Sequence, residues 1–108
     1  MKSGEAEFLY LTTTGRRSGQ PREIEIWFTQ RDGRYYVIAE HLDDAHWVQN
    51  LVADARVGVR VGDRAFSARA RVIREAEASD LHWAIRELSE QKYGWGDGLV
   101  VELTPEPG

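Results

Sequence analysis

The hydrophobic positions along this chain switch between two periods, and each switch marks a new element. "EFLYLTT" (7–13) is aromatic and β-branched and predicts a strand. "REIEIWFT" (22–29) alternates, with Ile24, Ile26 and Phe28 on one face and Glu23, Glu25 and Trp27 on the other. A period of two is the signature of a half-buried strand. Asp32-Gly33 is a hairpin turn signal, and "RYYVIAE" (34–40) is the returning strand. The spacing then lengthens: Trp47, Val48, Leu51 and Val52 predict a short helix in "DDAHWVQNLVADA", with Asp43 or Asp44 as N-cap. "RVGVRVGDRAFSARARVI" (56–73) returns to period two around Gly62-Asp63. Val57, Val59 and Val61 face the core from one strand, and Phe66, Ala68, Ala70 and Val72 from the other. Leu81, Ala84, Ile85 and Leu88 predict a second helix, ended by Gly94 as its C-terminal cap. A glycine-rich loop, "GWGDG", leads into a last strand, "LVVELT".

The order is therefore β-β-β-α-β-β-α-β. Hairpins, rather than helices alternating with strands, rule out a doubly wound sheet. They predict an α+β, mainly β fold: a small antiparallel barrel plugged by two helices. At 108 residues the chain has room for one core, so residues 1–108 are expected to form a single domain.

The chain carries 14 Lys+Arg against 18 Asp+Glu, a net charge of −4, which argues against a nucleic-acid or anionic-membrane binder. With no cysteine, disulfides, thiolate metal sites and a catalytic thiol are excluded. No apolar run approaches a membrane span and the N-terminus lacks a signal-peptide core, so the cytoplasm is the expected location. Against that acidic background, "TTTGRRSGQPRE" (12–23) gathers Arg16, Arg17 and Arg22 in one hairpin turn, with Thr14 and Ser18 adding hydroxyls. Arginine forks match phosphate or carboxylate oxygens two at a time. At roughly 1.5–3 kcal/mol per charged hydrogen bond, three arginines supply roughly 5–9 kcal/mol, and a micromolar ligand needs about 8. The competing reading is a set of surface arginines neutralised by Glu5, Glu7 or Glu23. The lysine and spacing of a Walker loop are absent.

Other candidates divide the same way. His46 is a candidate proton donor, or a solvent-facing residue on a short helix. His41 and His82 lie apart from it, and no metal site is expected from three scattered histidines. Glu23 and Glu25 are expected to be solvated or paired with arginines across a strand. Arg56, Arg60, Arg64, Arg69, Arg71 and Arg74 form a basic strip that lacks base-stacking aromatics, which suits a subunit interface or solvated face better than RNA. "KYGWGDG" offers Tyr93 and Trp95 either as a glycine-hinged substrate lid or as a cap on the barrel end.

The runs "LTTTGRRSGQPREIEIWF", "DGRYYVIAE", "HWVQNLVADARVGVRVG" and "ARARV" resemble the deazaflavin-dependent nitroreductases and F420H2-dependent quinone reductases. These are split β-barrel oxidoreductases related to the FMN-binding pyridoxamine-phosphate-oxidase fold. The resemblance implies coenzyme F420, its phosphate and acidic tail held by Arg16, Arg17, Ser18 and Arg22. It implies that Glu25, Ile26 and Trp27 pass beside the deazaflavin ring, that a helix carrying His46, Trp47 and Asn50 closes the site, and that Tyr93 and Trp95 line the substrate pocket. The implied reaction is hydride transfer to a small organic acceptor such as a quinone, nitroaromatic or activated alkene. Departures from the family pattern, chiefly Glu25 and Glu40 near the ring, keep two alternatives open. One is an FMN-dependent reductase; the other is a non-enzymatic protein binding a flavin, tetrapyrrole or lipid-like ligand. With no segment ahead of the first strand to cover a barrel flank, a homodimer is expected.

Overall fold

The computed structural model describes residues 7–107. Seven strands form one antiparallel sheet: β1 (Phe8–Thr14), β2 (Pro21–Trp27), β3 (Thr29–Arg31), β4 (Arg34–Ala39), β5 (Arg56–Val61), β6 (Arg64–Ile73) and β7 (Leu99–Pro105). Two helices, α1 (His46–Ala53) and α2 (Ser79–Tyr93), complete it, with a 3-10 turn at Leu42–Asp44. The order of elements is the expected one, except that the strand foreseen at 22–29 is two strands.

The break between those two strands makes the barrel. The sheet order is β2-β1-β5-β6-β7-β4-β3, so β2 and β3, consecutive in sequence, are its opposite edges. Phe28 is where the chain crosses from one edge to the other. Its backbone cannot join either ladder, and α2 serves it instead. The Phe28 N–H donates to the Tyr93 hydroxyl at 3.1 Å, and its carbonyl accepts from Lys92 Nζ at 2.9 Å. The Tyr93 hydroxyl lies 2.7 Å from both the Phe28 and Glu7 carbonyls, which share its one proton. Satisfying these otherwise stranded polar groups fastens the split.

Alternation does the rest. Leu9 and Leu11 of β1, Val57 and Val59 of β5, Ala68 and Ala70 of β6, and Val101 and Leu103 of β7 all point into the barrel and are buried. The opposite face of β4, β6 and β7 packs Tyr36, Ile38, Ile73 and Val100 under Ile85 of α2. Asp32 and Gly33 take positive φ values of 53° and 77°, as a two-residue hairpin loop with the sheet's twist requires. Gly94 caps α2 with its N–H on the Glu90 carbonyl.

Two local expectations are corrected. α1 starts after Ala45 without a side-chain cap, because the Asp43 carboxylate is drawn to Arg74, 2.9 Å away. Val52 is 64% exposed, since an eight-residue helix lying on the barrel buries only Val48, Asn50 and Leu51.

Candidate functional site

A groove runs along one side of the barrel, in two parts with different chemistry. The polar part, about 1010 Å³, lies between the β1–β2 turn and the start of α1. The other, about 620 Å³, is a chamber walled by Trp27, Trp47 and Trp95 with Ile26 and Ile38. Ile24, Glu40, His41, Ala45 and Trp47 border both.

The polar part is built from the arginine turn. The Gly15 N–H donates to the Gln20 carbonyl and the Gly19 N–H to the Gly15 carbonyl, each at 2.8 Å, and Ser18 Oγ accepts from the Gln20 N–H at 3.1 Å. Asn50, 5% exposed on α1, then anchors the turn to the helix. Its Oδ1 accepts from the Arg16 backbone N–H at 3.2 Å and from Arg16 Nη1 at 2.8 Å, while Nδ2 donates to Thr13 Oγ1 at 3.3 Å. Arg16 Nη2 also approaches His46 Nδ1 at 3.4 Å. A guanidinium only donates, so that ring nitrogen carries the lone pair. Arg16 is thereby held, and held by neutral groups.

Charge is what sets this turn apart. Apart from its three arginines and Arg64, every arginine of the chain lies within 4.0 Å of a carboxylate oxygen. Glu23, the nearest described carboxylate in sequence, turns to Arg60 on β5 at 3.6 Å. Arg17 and Arg22 line the groove, exposed and without an ion-pair partner among the described residues. Three arginines therefore face one cleft of an acidic molecule, outnumbering Glu40 and Asp44 on the same lining, and an excess of positive charge concentrates anions.

The chamber is fixed by aromatic contacts. Trp27 stacks on Tyr93 with ring centroids 4.4 Å apart and planes 4° from parallel, and meets Trp95 edge-on at 6.4 Å. Tyr93 thus backs Trp27 rather than lining the chamber, whereas Trp95 lines it. The loop carrying Trp95 is fastened to α2. Ser89 Oγ donates to the Trp95 carbonyl at 2.6 Å, and Arg86 donates to the Gly96 carbonyl at 2.8 Å and to Asp97 at 2.6 Å. Gly96 and Gly98 are there for contact, since a Cβ would strike the Arg86 carbonyl at the first and lie 2.5 Å from the Ala39 carbonyl at the second. The loop walls the chamber as it stands, with Gly96 and Gly98 serving its close packing.

Of the carboxylates near the chamber, Glu25 accepts from the Tyr10 hydroxyl at 2.8 Å, and this bond raises the Tyr10 pKa. Tyr36, another lining residue, donates to the buried Glu102 at 2.9 Å. Burial, reinforced by that bond, pushes the Tyr36 hydroxyl up to about 12. Among the foreseen site residues, then, Arg16, Arg17, Ser18, Arg22, Trp47 and Asn50 gather in the polar part, with Ile26, Trp27, Trp47 and Trp95 in the chamber. His46 borders only the polar part, whereas His41 borders both. Sequence reading passed over Thr29, Tyr36 and Ser89 and set His41 aside, because only the closing of β3, β4 and α2 around the chamber brings them together. The basic strip is largely neutralised: Arg56 and Arg69 reach Glu106, Arg60 reaches Glu23 and Arg71 reaches Glu102. His82 is buried with Nδ1 on the Ile73 carbonyl, 3.2 Å away.

Comparison with known proteins gives a consistent picture. The sequence model of the F420H(2)-dependent quinone reductases matches residues 2–96. Among solved structures, the F420-H2 dependent reductase FDR-A is similar at 23% identity and a TM-score of 0.71, over 95% of this chain and 98% of that one. A domain-swapped dimer is similar at 23% identity and a TM-score of 0.72, over 92% of this chain and 81% of that one. HutZ, the heme storage protein from Vibrio cholerae, matches at 22% identity and a TM-score of 0.78, over 96% of this chain and 84% of that one. At these identities the solved structures share the split-barrel fold.

Proposed function

From the premise that this chain belongs to the F420H(2)-dependent quinone reductase family, we propose that it passes a hydride from reduced F420 to a quinone held in the tryptophan-lined chamber. The protein is an oxidoreductase and F420, rather than FMN, is its cofactor. The observation that carries the rest is the pairing, in a single groove, of an arginine turn without an ion-pair partner among the described residues and a tryptophan-walled chamber.

The residues fit the cofactor. Arg17 and Arg22 would hold its phosphate and acidic tail, with Arg16 fixed beside them by Asn50 and Ser18 adding a hydroxyl donor. Trp27, Trp47 and Ile26 would enclose the ring, with Trp95 on the acceptor side. When bound, F420 supplies the hydride. The chain binds, orients and excludes water, and no protein nucleophile is needed. The Glu25 carboxylate is taken up by Tyr10, which lessens its repulsion of an anionic ring. His46, hydrogen-bonded in the polar part, is placed to hold Arg16 and serves a proton to the chamber less directly than His41 at the junction.

Steady-state oxidation of reduced F420 tests the acceptor. A soluble quinone should give a higher kcat/KM than a nitroaromatic or an activated alkene; the reverse order would sink the quinone reading. Two statements about context belong to the same proposal. Among the described residues no helix is long and apolar enough to cross a membrane, which supports a cytoplasmic enzyme. The domain-swapped dimer among its structural relatives and the exposed Phe8 and Trp27 support a homodimer. A sedimentation mass near 12.3 kDa at micromolar concentration would reject the dimer.

A further inference from the structure

Three hydroxyls border the tryptophan-lined chamber: Thr29, Tyr36 and Ser89. Two are already engaged, Tyr36 with the Glu102 carboxylate and Ser89 with the Trp95 carbonyl. Thr29 is 6% exposed, and its Oγ1 has no hydrogen-bond partner. It is the one buried side-chain polar atom among the described residues left this way. Leaving a buried hydroxyl unpaired destabilises the fold, so it calls for an explanation.

The backbone is not free to relieve it. Phe28, immediately before, has its N–H and carbonyl taken by Tyr93 and Lys92, and Thr29 itself is paired with Tyr36 in the β3–β4 ladder. Its chamber neighbours offer little: Ile26, Ile38 and Ala39 are apolar, and the Glu25 carboxylate belongs to Tyr10. The side chain can still turn. Rotation about χ1 carries the hydroxyl between staggered wells without moving the strand.

We propose that Thr29 Oγ1 hydrogen-bonds the polar edge of a planar ring seated in the chamber. A hydroxyl donates to a ring carbonyl and accepts from a ring N–H. Resting on the proposed function, two rings present that chemistry: the pyrimidine edge of the deazaflavin and the carbonyl of a quinone. Thr29 is then the polar contact that orients a flat ring between tryptophan faces, which by themselves leave its in-plane rotation free.

The variants are Thr29→Val, which keeps the branched shape and removes the hydroxyl, and Thr29→Ser, which keeps the hydroxyl. The readouts are melting temperature without ligand, affinity for oxidised F420 by its fluorescence, and KM for a soluble quinone. Thr29→Val is expected to melt about 4 °C higher, because an unpaired hydroxyl has gone. It should bind one ring roughly 3- to 10-fold more weakly, while Thr29→Ser binds like the wild type. A loss in F420 affinity identifies the cofactor edge as the partner; unchanged F420 affinity with a raised quinone KM identifies the acceptor. Wild-type affinity for both rings in Thr29→Val overturns the inference alone, provided the unaltered chain binds F420. A lower melting temperature in Thr29→Val, restored in Thr29→Ser, also overturns it, since the hydroxyl then serves the fold. Failure of the unaltered chain to bind F420 overturns this inference together with the proposed function.

Discussion

Two arginine-rich regions of this molecule differ in how their charges are met. On the β5–β6 face, Arg56, Arg60, Arg69 and Arg71 each find a carboxylate on the same strand's neighbours or close by: Glu106, Glu23 or Glu102. In and just after the β1–β2 turn, Arg16, Arg17 and Arg22 find none among the described residues, and Arg16 is steadied by Asn50 instead. The difference lies in what stands opposite. A strand places a side chain beside its cross-strand partner, so Arg71 of β6 meets Glu102 of β7 by register. Arg16 and Arg17 sit in a turn, which has no partner strand, and Arg22 on the edge strand β2 stands opposite the neutral Thr13, so all three charges project into the cleft they border.

Replacing Arg17 and Arg22 together by alanine is the sharpest way to break that comparison. Affinity for F420 should fall by about 3–6 kcal/mol, at about 1.5–3 kcal/mol per charge-assisted bond. The melting temperature should stay within about 2 °C, as expected for exposed side chains with no ion-pair partner among the described residues. Calorimetry showing unchanged affinity would remove the turn from the site.

The converse substitution is Arg71→Ala. Glu102 is 5% exposed, and it would keep only Arg34 at 4.0 Å and the Tyr36 hydroxyl. Stability should drop by about 2 kcal/mol, below the cost of wholly unpairing a buried charge because Arg34 remains. F420 affinity should stay as it was. A denaturant midpoint equal to the wild type's would mean that the sheet arginines are as idle as surface pairs usually are.

Asn50→Ala tests whether neutral anchoring is what readies the turn. Loss of its three hydrogen bonds should cost about 1–3 kcal/mol of stability. It should also weaken F420 binding by a smaller margin than the double arginine substitution, because Arg16 must then be ordered on binding. Wild-type affinity in a folded Asn50→Ala protein would confine Asn50 to a structural role.

The smallest effect is a pH dependence. The folded Tyr36 hydroxyl titrates near 12, above its unfolded value of 10.0, so the native state holds the proton more tightly. Its contribution is complete below pH 10 and is lost as pH rises from 10 towards 12. In Tyr36→Phe the decline in melting temperature across that window should be shallower than in the wild type. An identical slope would show that the fold does not hold the Tyr36 proton more tightly than the unfolded chain does.

Local periodicity carried most of the architecture. Period two located the strands, helical spacing located α1 and α2, and Asp32-Gly33 and Gly94 marked a hairpin and a helix end, because these choices depend on residues a few positions apart. The arginine turn was visible in the same way, as arginines dense in sequence, whereas its freedom from Glu7 and Glu23 was not, and Glu5 lies outside the described residues. Tertiary structure decided everything that depends on distant partners. The strand foreseen at 22–29 broke at Phe28 because β2 and β3 belong to opposite edges of the sheet. Asp43 left its expected cap for Arg74 across 31 positions of chain. Trp95 became a wall because Ser89 and Arg86 fasten its loop. Whether an arginine is bare or paired, and whether a threonine hydroxyl is served or orphaned, is set by what folding brings within about 3 Å, and hydrogen bonds and ion pairs reach little farther.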